Sequence, residues 1–201
     1  MENIFQDGRR SRHEPHKQEL VAAVVEYVFE HGLSELSLRP LAAALGISHR
    51  TLLYHFGSKE KLLVEVLKEV RARERLLFAF RFRDQETIPV VEFVRAAFQR
   101  FMASEHEGYF RLFFEVYGLA LQEPDVYGGF LEGVVSDWLP IIESILMRDG
   151  CDSTRTQAIS TLILSTARGL QLDLLATHDR KRVEAALEAL LLLLDSLLHI
   201  A

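Results

Sequence analysis

The sequence predicts an all-α protein, and three observations support that prediction. Apolar residues recur at helical spacing through most of the 201 residues, and no segment alternates polar and apolar residues as a strand would. Residues 38–61 have the pattern of two short helices joined by a tight turn, with a third helix starting directly after them. The final segment, residues 180–199, is apolar nearly all round, which indicates a helix that is covered on two sides.

The helices are predicted in order along the chain. The first covers residues 15–31, and after the connection at residues 33–36 the next is capped by Ser37. A long helix runs from residue 59 into the eighties, followed by helices at 89–104 and 109–121. Pro124 and the glycines at 128 and 129 predict a loop or an irregular start. A helix at 130–147 is kinked or divided by Pro140, and Ser153 or Thr154 caps a helix that reaches residue 177.

The two short helices have the residues of a helix-turn-helix unit. Gly46 fits the left-handed position that ends a helix sharply, and Ser48 fits the N-cap of the next helix. Leu52, Leu53 and Phe56 are expected on the buried side of that second helix. Its other side carries hydrogen-bonding side chains, which suits a helix that enters the major groove of DNA.

This block resembles the DNA-binding half of the TetR (tetracycline repressor) family. The matching residues are Ser37, Leu41, Ala42, Leu45, Gly46, Ile47, Ser48, Thr51, Leu52, Tyr54, His55, Phe56, Ser58, Lys59, Glu60 and Leu62. Their spacing fixes the turn, the caps and the core together, over about residues 14–68 with the preceding helix included. The chain departs from the family pattern at Arg50, where glycine is frequent, and at Leu53, where an aromatic residue is frequent. The resemblance implies a DNA-binding transcriptional regulator, most often a repressor.

The candidate DNA-binding residues lie on and beside the second short helix. They are Ser37, Arg39, Ser48, His49, Arg50, Thr51, Tyr54, His55 and Lys59. We expect phosphate contacts from Ser48, Tyr54 and Lys59, because such contacts set the register of a helix on the duplex. We expect base contacts from His49, Arg50 and Thr51, with the Arg50 guanidinium best suited to bidentate bonding with guanine. A dimer would place two copies of this helix on a near-palindromic operator.

Four regions are predicted along the chain. They are a flexible basic arm at residues 1–13, a helix-turn-helix domain at 14–58, a connecting helix at 59–83, and an effector-binding and dimerisation domain at 84–201. Residues 1–83 hold 14 Lys or Arg and 11 Asp or Glu, a net charge of +3, whereas residues 84–201 hold 9 and 18, a net charge of −9. This split favours a basic end on DNA, although two solvated surfaces can differ this much by chance. Arg9, Arg10 and Arg12 either enter a minor groove or belong to a mobile tail.

The C-terminal region carries more aromatic residues than helix packing requires. Such residues usually form core, but with a few polar groups they also line small-molecule sites. The polar candidates are Gln99, Thr166, Arg168, Gln171 and Asp173. The TetR resemblance implies a small, largely apolar effector bound between these helices. The expected ligand-binding residues are Phe98, Phe101, Met102, Phe110, Phe113, Phe114, Tyr117, Trp138, Thr166 and Gln171.

The last two helices predict a homodimer. Apolar residues surround the final helix, so one side is expected in the subunit core and the other against a second copy, in a symmetric four-helix interface. The expected interface residues are Leu162, Leu170, Leu174, Val183, Leu187, Leu190, Leu191, Leu194 and Leu198. The alternative is a wholly internal helix of a monomer.

The sequence lacks the motifs of several functional classes. We expect no enzyme, no catalytic residues, no cofactor and no metal, because the chain lacks H-E-x-x-H, paired cysteine ligands, a P-loop, G-x-S-x-G and G-x-G-x-x-G. The single cysteine, Cys151, fits a reducing compartment, and we expect a cytoplasmic protein without a membrane span or a signal peptide.

Two alternatives to an effector-controlled regulator stay open. The first is a TetR-like DNA-binding protein without a small-molecule effector, controlled by a protein partner or by its abundance. The second is an all-α small-molecule-binding protein or enzyme in which the helix-turn-helix unit only contributes to packing. A cavity filled by the protein's own side chains would favour the first.

Overall fold

The computed structural model describes residues 7–31, 37–83 and 88–199, and within these ranges it contains α-helices, one short 3₁₀-helix and no strand. The prediction of an all-α fold is confirmed. The helices are α1 (Asp7–His31), α2 (Leu38–Ala44), α3 (His49–Phe56), α4 (Lys59–Arg83), α5 (Val90–Phe101), the 3₁₀-helix (Ser104–His106), α6 (Glu107–Gln122), α7 (Pro124–Ser136), α8 (Leu139–Arg148), α9 (Ser153–Thr177) and α10 (Arg180–His199). No helix in these ranges is long and apolar enough to cross a membrane.

The first helix begins at Asp7, earlier than its apolar spacing predicts. The arm predicted at residues 1–13 is therefore helical from Asp7 onward, while residues 1–6 and the connection at 32–36 lie outside the described ranges. Arginine and glutamate favour helix without any apolar face, so periodicity locates only the packed part of a helix. In that packed part Val24 and Val25 are buried in the core that α1 shares with α4.

The buried apolar residues form two core clusters. The first, called the N-core here, joins α1–α4 to α6 and α7, with Leu67 and Phe130 fully buried. The second, the C-core, joins α5 to α8, α9 and α10, with Leu146 and Leu194 fully buried. Phe101 of α5 packs against both clusters. The N-core therefore continues across residue 84, where composition places a domain boundary, and ties the N-terminal helices to part of the C-terminal region.

The segment at Pro124, predicted as a loop or irregular start, is the beginning of α7. Pro124 occupies the first turn of that helix, where the N–H that proline lacks would have no helical acceptor. The glycines at 128 and 129 lie inside the helix, and a Cβ on Gly129 would come 2.8 Å from Nζ of Lys68 on α4. Pro140 divides the helix predicted at residues 130–147, because it stands in the first turn of α8.

The last two helices begin and end close to the predicted residues. The N-cap of α9 is Asp152 and neither Ser153 nor Thr154, since the Asp152 carboxylate accepts a hydrogen bond from the Thr154 N–H at 2.8 Å. His178 ends α9 in a left-handed conformation with φ of 54°. The helix α10 then packs against α5 and α9.

Candidate nucleic-acid interface and effector cavity

Local hydrogen bonds build the turn between α2 and α3. Gly46 has a φ of 66°, which lies in the left-handed region that favours glycine. Its N–H donates to the Ala43 carbonyl at 3.1 Å, and the N–H of Ile47 donates to the Ala42 carbonyl at 3.0 Å. This pair of bonds is the Schellman motif, which ends a helix and reverses the chain. The sharp turn predicted from Gly46 is therefore present.

The helix α3 buries one side and exposes the other. Leu52 and Phe56 are buried in the N-core, and Leu53 is half-buried. On the opposite side Arg50 is exposed and Tyr54 is 73% exposed. A short helix held by two buried side chains, with its donors outward, has the form that enters a major groove.

Ser48 and Thr51 use part of their hydrogen-bonding capacity on α3 itself. The Ser48 hydroxyl accepts from the Thr51 N–H at 3.0 Å and lies 2.8 Å from the Thr51 hydroxyl. Ser48 is therefore the N-cap that the sequence predicts. A Thr51 hydroxyl held by Ser48 has less freedom to follow a base edge, so the exposed donors of α3 centre on Arg50 and Tyr54.

The other predicted DNA-binding residues flank α3 on elements that pack against it. Ser37 and Arg39 are exposed at the start of α2, where Ser37 is the N-cap but makes no capping bond with its side chain. Lys59 is exposed in the first turn of α4, and His49 and His55 are half-buried. The nine predicted residues thus belong to three consecutive elements. The side chains of Arg9, Arg10 and Arg12 lie outside the described part of the structure.

The N-terminus of α4 already carries a negative group. The Ser58 hydroxyl accepts from the Lys61 N–H at 3.2 Å. A hydrogen bond with its own backbone N–H, aided by the Ser58 hydroxyl, lowers the pKa of Glu60 below its usual value. A carboxylate at this terminus makes the bare helix end unfavourable for a phosphate.

The same part of the chain matches a known family. Residues 20–66, from the middle of α1 into the first turns of α4, match the family model of bacterial regulatory proteins, tetR family. Residues 20–66 are therefore a TetR-family DNA-binding domain. The match confirms the family and the DNA-binding function that the sequence predicts, in the domain whose geometry is described above.

Solved structures share the fold over nearly the whole chain. A transcriptional regulator from Rhodococcus sp. Rha1 is 18% identical over 87% of this chain and 93% of its own, with a TM-score of 0.67. NalD, the secondary repressor of the MexAB-OprM multidrug efflux pump in Pseudomonas aeruginosa, is 19% identical over 92% and 96%, with a TM-score of 0.59. The multidrug binding protein EbrR, complexed with proflavin, is 21% identical over 87% and 96%, with a TM-score of 0.59. Identity this low shows the TetR fold alone, and no curated protein sequence matches the chain.

A cavity of about 80 Å³ lies where the N-core meets the C-core. Six of the ten predicted ligand-binding residues line it, namely Phe98, Phe101, Phe110, Phe113, Trp138 and Gln171. The prediction omitted Glu74, Tyr109 and Ile163, which also line it, and named Arg168 only as a polar candidate. Glu74 could not be found from the sequence, because a charged residue on a long helix ordinarily faces solvent.

Four predicted ligand-binding residues lie outside the lining of that cavity. Met102 lines a neighbouring pocket of about 200 Å³ near the end of α9. Phe114 and Tyr117 pack against the N-core, because the apolar face of α6 is wide and only part of it is directed toward α5 and α9. Thr166 is half-buried on α9 and lines neither space.

The polar candidates divide in a similar way. Gln99 is exposed, which removes it from the cavity. Asp173 pairs with Arg182, with nitrogen–oxygen distances of 2.8 and 2.6 Å, and so does not pair with Arg168. Only Arg168 and Gln171 of the five polar candidates line the cavity.

Two groups of charged residues lie between α4 and the helices that cover the cavity. Glu74, which is 6% exposed, accepts hydrogen bonds from Arg100 Nε at 2.6 Å and Arg100 Nη2 at 2.8 Å, and lies 3.5 Å from His106 Nε2. Arg71, which is 4% exposed, pairs with Asp137 of the α7–α8 junction at 2.8 Å. These contacts fix the middle of α4 to both core clusters.

The structure places five of the nine predicted interface residues inside the subunit's own C-core. They are Val183, Leu187, Leu190, Leu191 and Leu194. Leu170, Leu174 and Leu198 are half-buried against the same cluster, and Leu162 is exposed. The stripe chosen from the sequence is therefore the one that packs α10 on α5 and α9. The large apolar side chains of α9 and α10 that are exposed are Leu162, which was predicted, and Leu172, Leu192 and Leu193, which were not.

Proposed function

We propose that this regulator is a cytoplasmic homodimer that represses transcription from a near-palindromic operator and is released by a small, largely apolar effector. The observation that carries the DNA contact is the two-sided α3, in which Leu52 and Phe56 are buried while Arg50 and Tyr54 are exposed. Each dimer would place two such helices in successive major grooves.

The exposed faces of α9 and α10 support the dimer. Leu172, Leu192 and Leu193 are between about half and three-quarters exposed, and Leu162 adds to the same two helices. Large apolar side chains grouped on two adjacent helices are typical of a symmetric helical interface. A four-helix interface formed by α9 and α10 of both subunits would cover them.

The position of the cavity supports control by an effector. Its lining comes from both core clusters and includes Glu74 of α4, the helix that begins beside α3. A molecule that enlarges this space would change how the clusters meet and so the spacing of the two α3 helices. To shift DNA occupancy a hundredfold, the effector must prefer the released conformer by roughly 2.7 kcal/mol. Two proteins of the same fold have names that agree with this proposal: NalD is named as a repressor, and EbrR as a multidrug binding protein.

One observation favours the alternative of a regulator without an effector. The cavity is small, at about 80 Å³, and aromatic side chains make up much of its lining. A fully closed cavity would leave a protein partner or abundance as the means of control. A thermal-shift screen of small apolar molecules separates the two, because an effector that binds the folded state raises the unfolding temperature.

Arg50→Ala is expected to weaken binding to the best operator by about 1–3 kcal/mol and to flatten preference at one position in each half-site, because Arg50 is exposed at the outward start of α3. Binding measured on a panel of operators with single base changes tests this. An equal loss on every sequence would assign Arg50 to the phosphates instead.

Lys59→Ala is expected to weaken every duplex alike and to reduce the slope of log K against log salt by about 1, because the exposed Lys59 is proposed to meet phosphate only. Titrations of operator and of scrambled duplex at several salt concentrations measure both quantities. Lys61→Ala, two residues further along α4, is the matched control. A sequence-dependent loss in the Lys59 variant would contradict a pure phosphate contact.

Selection from a random duplex pool at moderate salt, without any added effector, tests the proposal as a whole. An enriched palindrome would establish dimeric, sequence-specific binding and provide the operator for effector screens. Enrichment of a single half-site would contradict the dimer. Salt-sensitive binding without sequence preference would contradict base recognition by α3 under these conditions.

A further inference from the structure

The charge of Arg168 has no carboxylate partner in the described part of the chain. Arg168 lies on α9, donates one hydrogen bond to the Val134 carbonyl, and has its guanidinium 5.9 Å from the centre of the Phe113 ring. Burial lowers the pKa of Arg168, and the positive charge of Arg71 acts in the same direction. Arg168 is half-buried, and a partly desolvated guanidinium without a carboxylate partner favours the binding of an anion.

The two carboxylates in this region are already paired with other residues. Glu74 is held by Arg100 and His106, and Asp137 is held by Arg71 at 2.8 Å and by Arg75 at 3.0 Å. Of the two charged residues that line the cavity, Glu74 is thus paired with Arg100, whereas Arg168 has no carboxylate partner.

Two further polar groups of the lining have no hydrogen-bond partner among the described residues. Gln171 is buried, and its amide makes no such bond. Tyr109 is also buried, and its hydroxyl makes none. Burial raises the pKa of the Tyr109 phenol, so the hydroxyl stays protonated and able to donate. The buried side-chain atoms without a hydrogen-bond partner do not include those of Tyr109 or Gln171, so these polar groups are open to the cavity that they line. A guanidinium, a phenol and an amide on one cavity can together pair with the polar group of a ligand.

The other lining residues indicate the chemistry of the rest of that ligand. Phe101 makes edge-to-face contacts with Phe110 at 5.6 Å and with Trp138 at 5.7 Å, and the apolar lining has no other charged group besides Glu74 and Arg168. At about 80 Å³ the space is smaller than the ~150 Å³ that admits benzene in an engineered cavity of another protein. The neighbouring pocket of about 200 Å³ shares Phe101, Phe110 and Gln171 with it, so an extended ligand would occupy both by moving these side chains.

We infer that the effector is an organic monoanion with an apolar body, its carboxylate bound by Arg168 and its body held among the aromatic side chains. This inference rests on the proposed effector function and narrows it to one chemical class. A guanidinium pairs with a carboxylate through two parallel hydrogen bonds, and such bonds are strongest where water is excluded.

Two sets of probes with equal bodies and different charge test the inference. They are octanoate, octanamide and octylammonium, and cinnamate, cinnamamide and cinnamylammonium. Calorimetry on the full chain should show the anion of a set binding about tenfold or more tightly than its amide and its ammonium analogue. With octanoate, the fluorescence of Trp138 reports entry into the cavity, because it is the single tryptophan of the chain.

Two substitutions distinguish a direct contact between Arg168 and the anion from a general effect of removing an arginine. Arg168→Gln should remove the preference for the anion and leave amide binding unchanged. Arg155→Gln should keep the preference, since Arg155 lies on the same helix and also donates to a distant carbonyl, that of Leu197, but does not line the cavity. The comparison of probes on the unmodified chain decides the question even where Arg168→Gln fails to fold.

The outcomes distinguish the ligand class from the effector function. Equal or stronger binding of the amide or the ammonium probe, or no binding of either anion, overturns the inference about class and leaves effector control to be tested with other molecules. Anion binding that depends on Arg168 but leaves operator affinity unchanged supports the class and overturns effector control. Arg168-dependent binding that also releases the operator supports both.

Discussion

Glu74→Ala is expected to lower the free energy of unfolding by about 3 kcal/mol. The Glu74 carboxylate is buried on α4 and joins Arg100 of α5 to His106 of the 3₁₀-helix. Removing it leaves a partly buried guanidinium without its bidentate partner, which costs more than the ion pair contributes in the intact protein. Chemical denaturation measures the difference.

Glu69→Ala is the matched control for that substitution. Glu69 lies on the same helix and accepts from Arg73 Nε at 2.9 Å, but its side chain is 40% exposed. An exposed pair four residues apart on a helix contributes only about 0.3–0.5 kcal/mol. Similar losses in the two variants would show that burial of Glu74 adds nothing to its pair.

The Glu74 carboxylate also makes the free energy of unfolding depend on pH. Burial alone raises the pKa of Glu74, but hydrogen bonds from Arg100 and His106 outweigh it and lower the pKa from 4.5 to about 2. Because the folded-state pKa lies below the unfolded value, the pair contributes its full stability above about pH 4.5 and loses it as the pH falls toward 2. The gap in unfolding free energy between the unmodified chain and Glu74→Gln should therefore narrow over that interval. Parallel pH profiles would contradict the assignment.

The DNA-binding end could be predicted residue by residue because its structure is determined locally. Gly46 fixes the turn by its own left-handed φ, and Ser48 caps α3 through an atom three residues away. Once the turn and cap are placed, the helical period alone directs Leu52 inward and Arg50 outward. No contact between distant parts of the chain is needed for that result.

The cavity could be predicted only in part, because its lining depends on how distant helices cross. The apolar face of α6 is wide enough that Phe110, Phe113, Phe114 and Tyr117 are equivalent in the sequence, yet only the first two line the cavity. The placement of α5 and α9 makes that choice, and it also brings Arg168 to the lining.

The buried and exposed sides of α10 could not be told apart from the sequence either. Leu191 and Leu192 are adjacent residues of one type on α10, but the first is 2% exposed and the second 72%. A helix that is apolar all round has no polar side to indicate which stripe faces the subunit core. Packing against α5 and α9 makes the assignment, and of the exposed leucines that remain for a partner only Leu162 was among the predicted interface residues.

Gly133→Ala is expected to destabilise the fold by about 2 kcal/mol, although alanine in a helix is ordinarily better than glycine by about 1 kcal/mol. A Cβ at Gly133 of α7 would come 2.6 Å from both Arg71 Nη2 and Asp137 Oδ2. The buried Arg71–Asp137 pair must then move or break, and breaking such a pair costs about 3–5 kcal/mol. Denaturant unfolding of the single variant gives the net value.

Gly129→Ala, one turn earlier on α7, separates the loss of that ion pair from a general effect of alanine. Its Cβ would meet Nζ of Lys68 at 2.8 Å, the far end of a flexible side chain that is only half-buried. That variant should be unchanged or more stable by up to about 1 kcal/mol. In an Arg71→Met background the penalty of Gly133→Ala should also shrink, because no buried ion pair remains to be displaced.

Equal stabilisation by alanine at both glycines would mean that α4 and α7 adjust their spacing freely. In that case the contact between α4 and α7 could not transmit a change at the cavity to the DNA-binding helices.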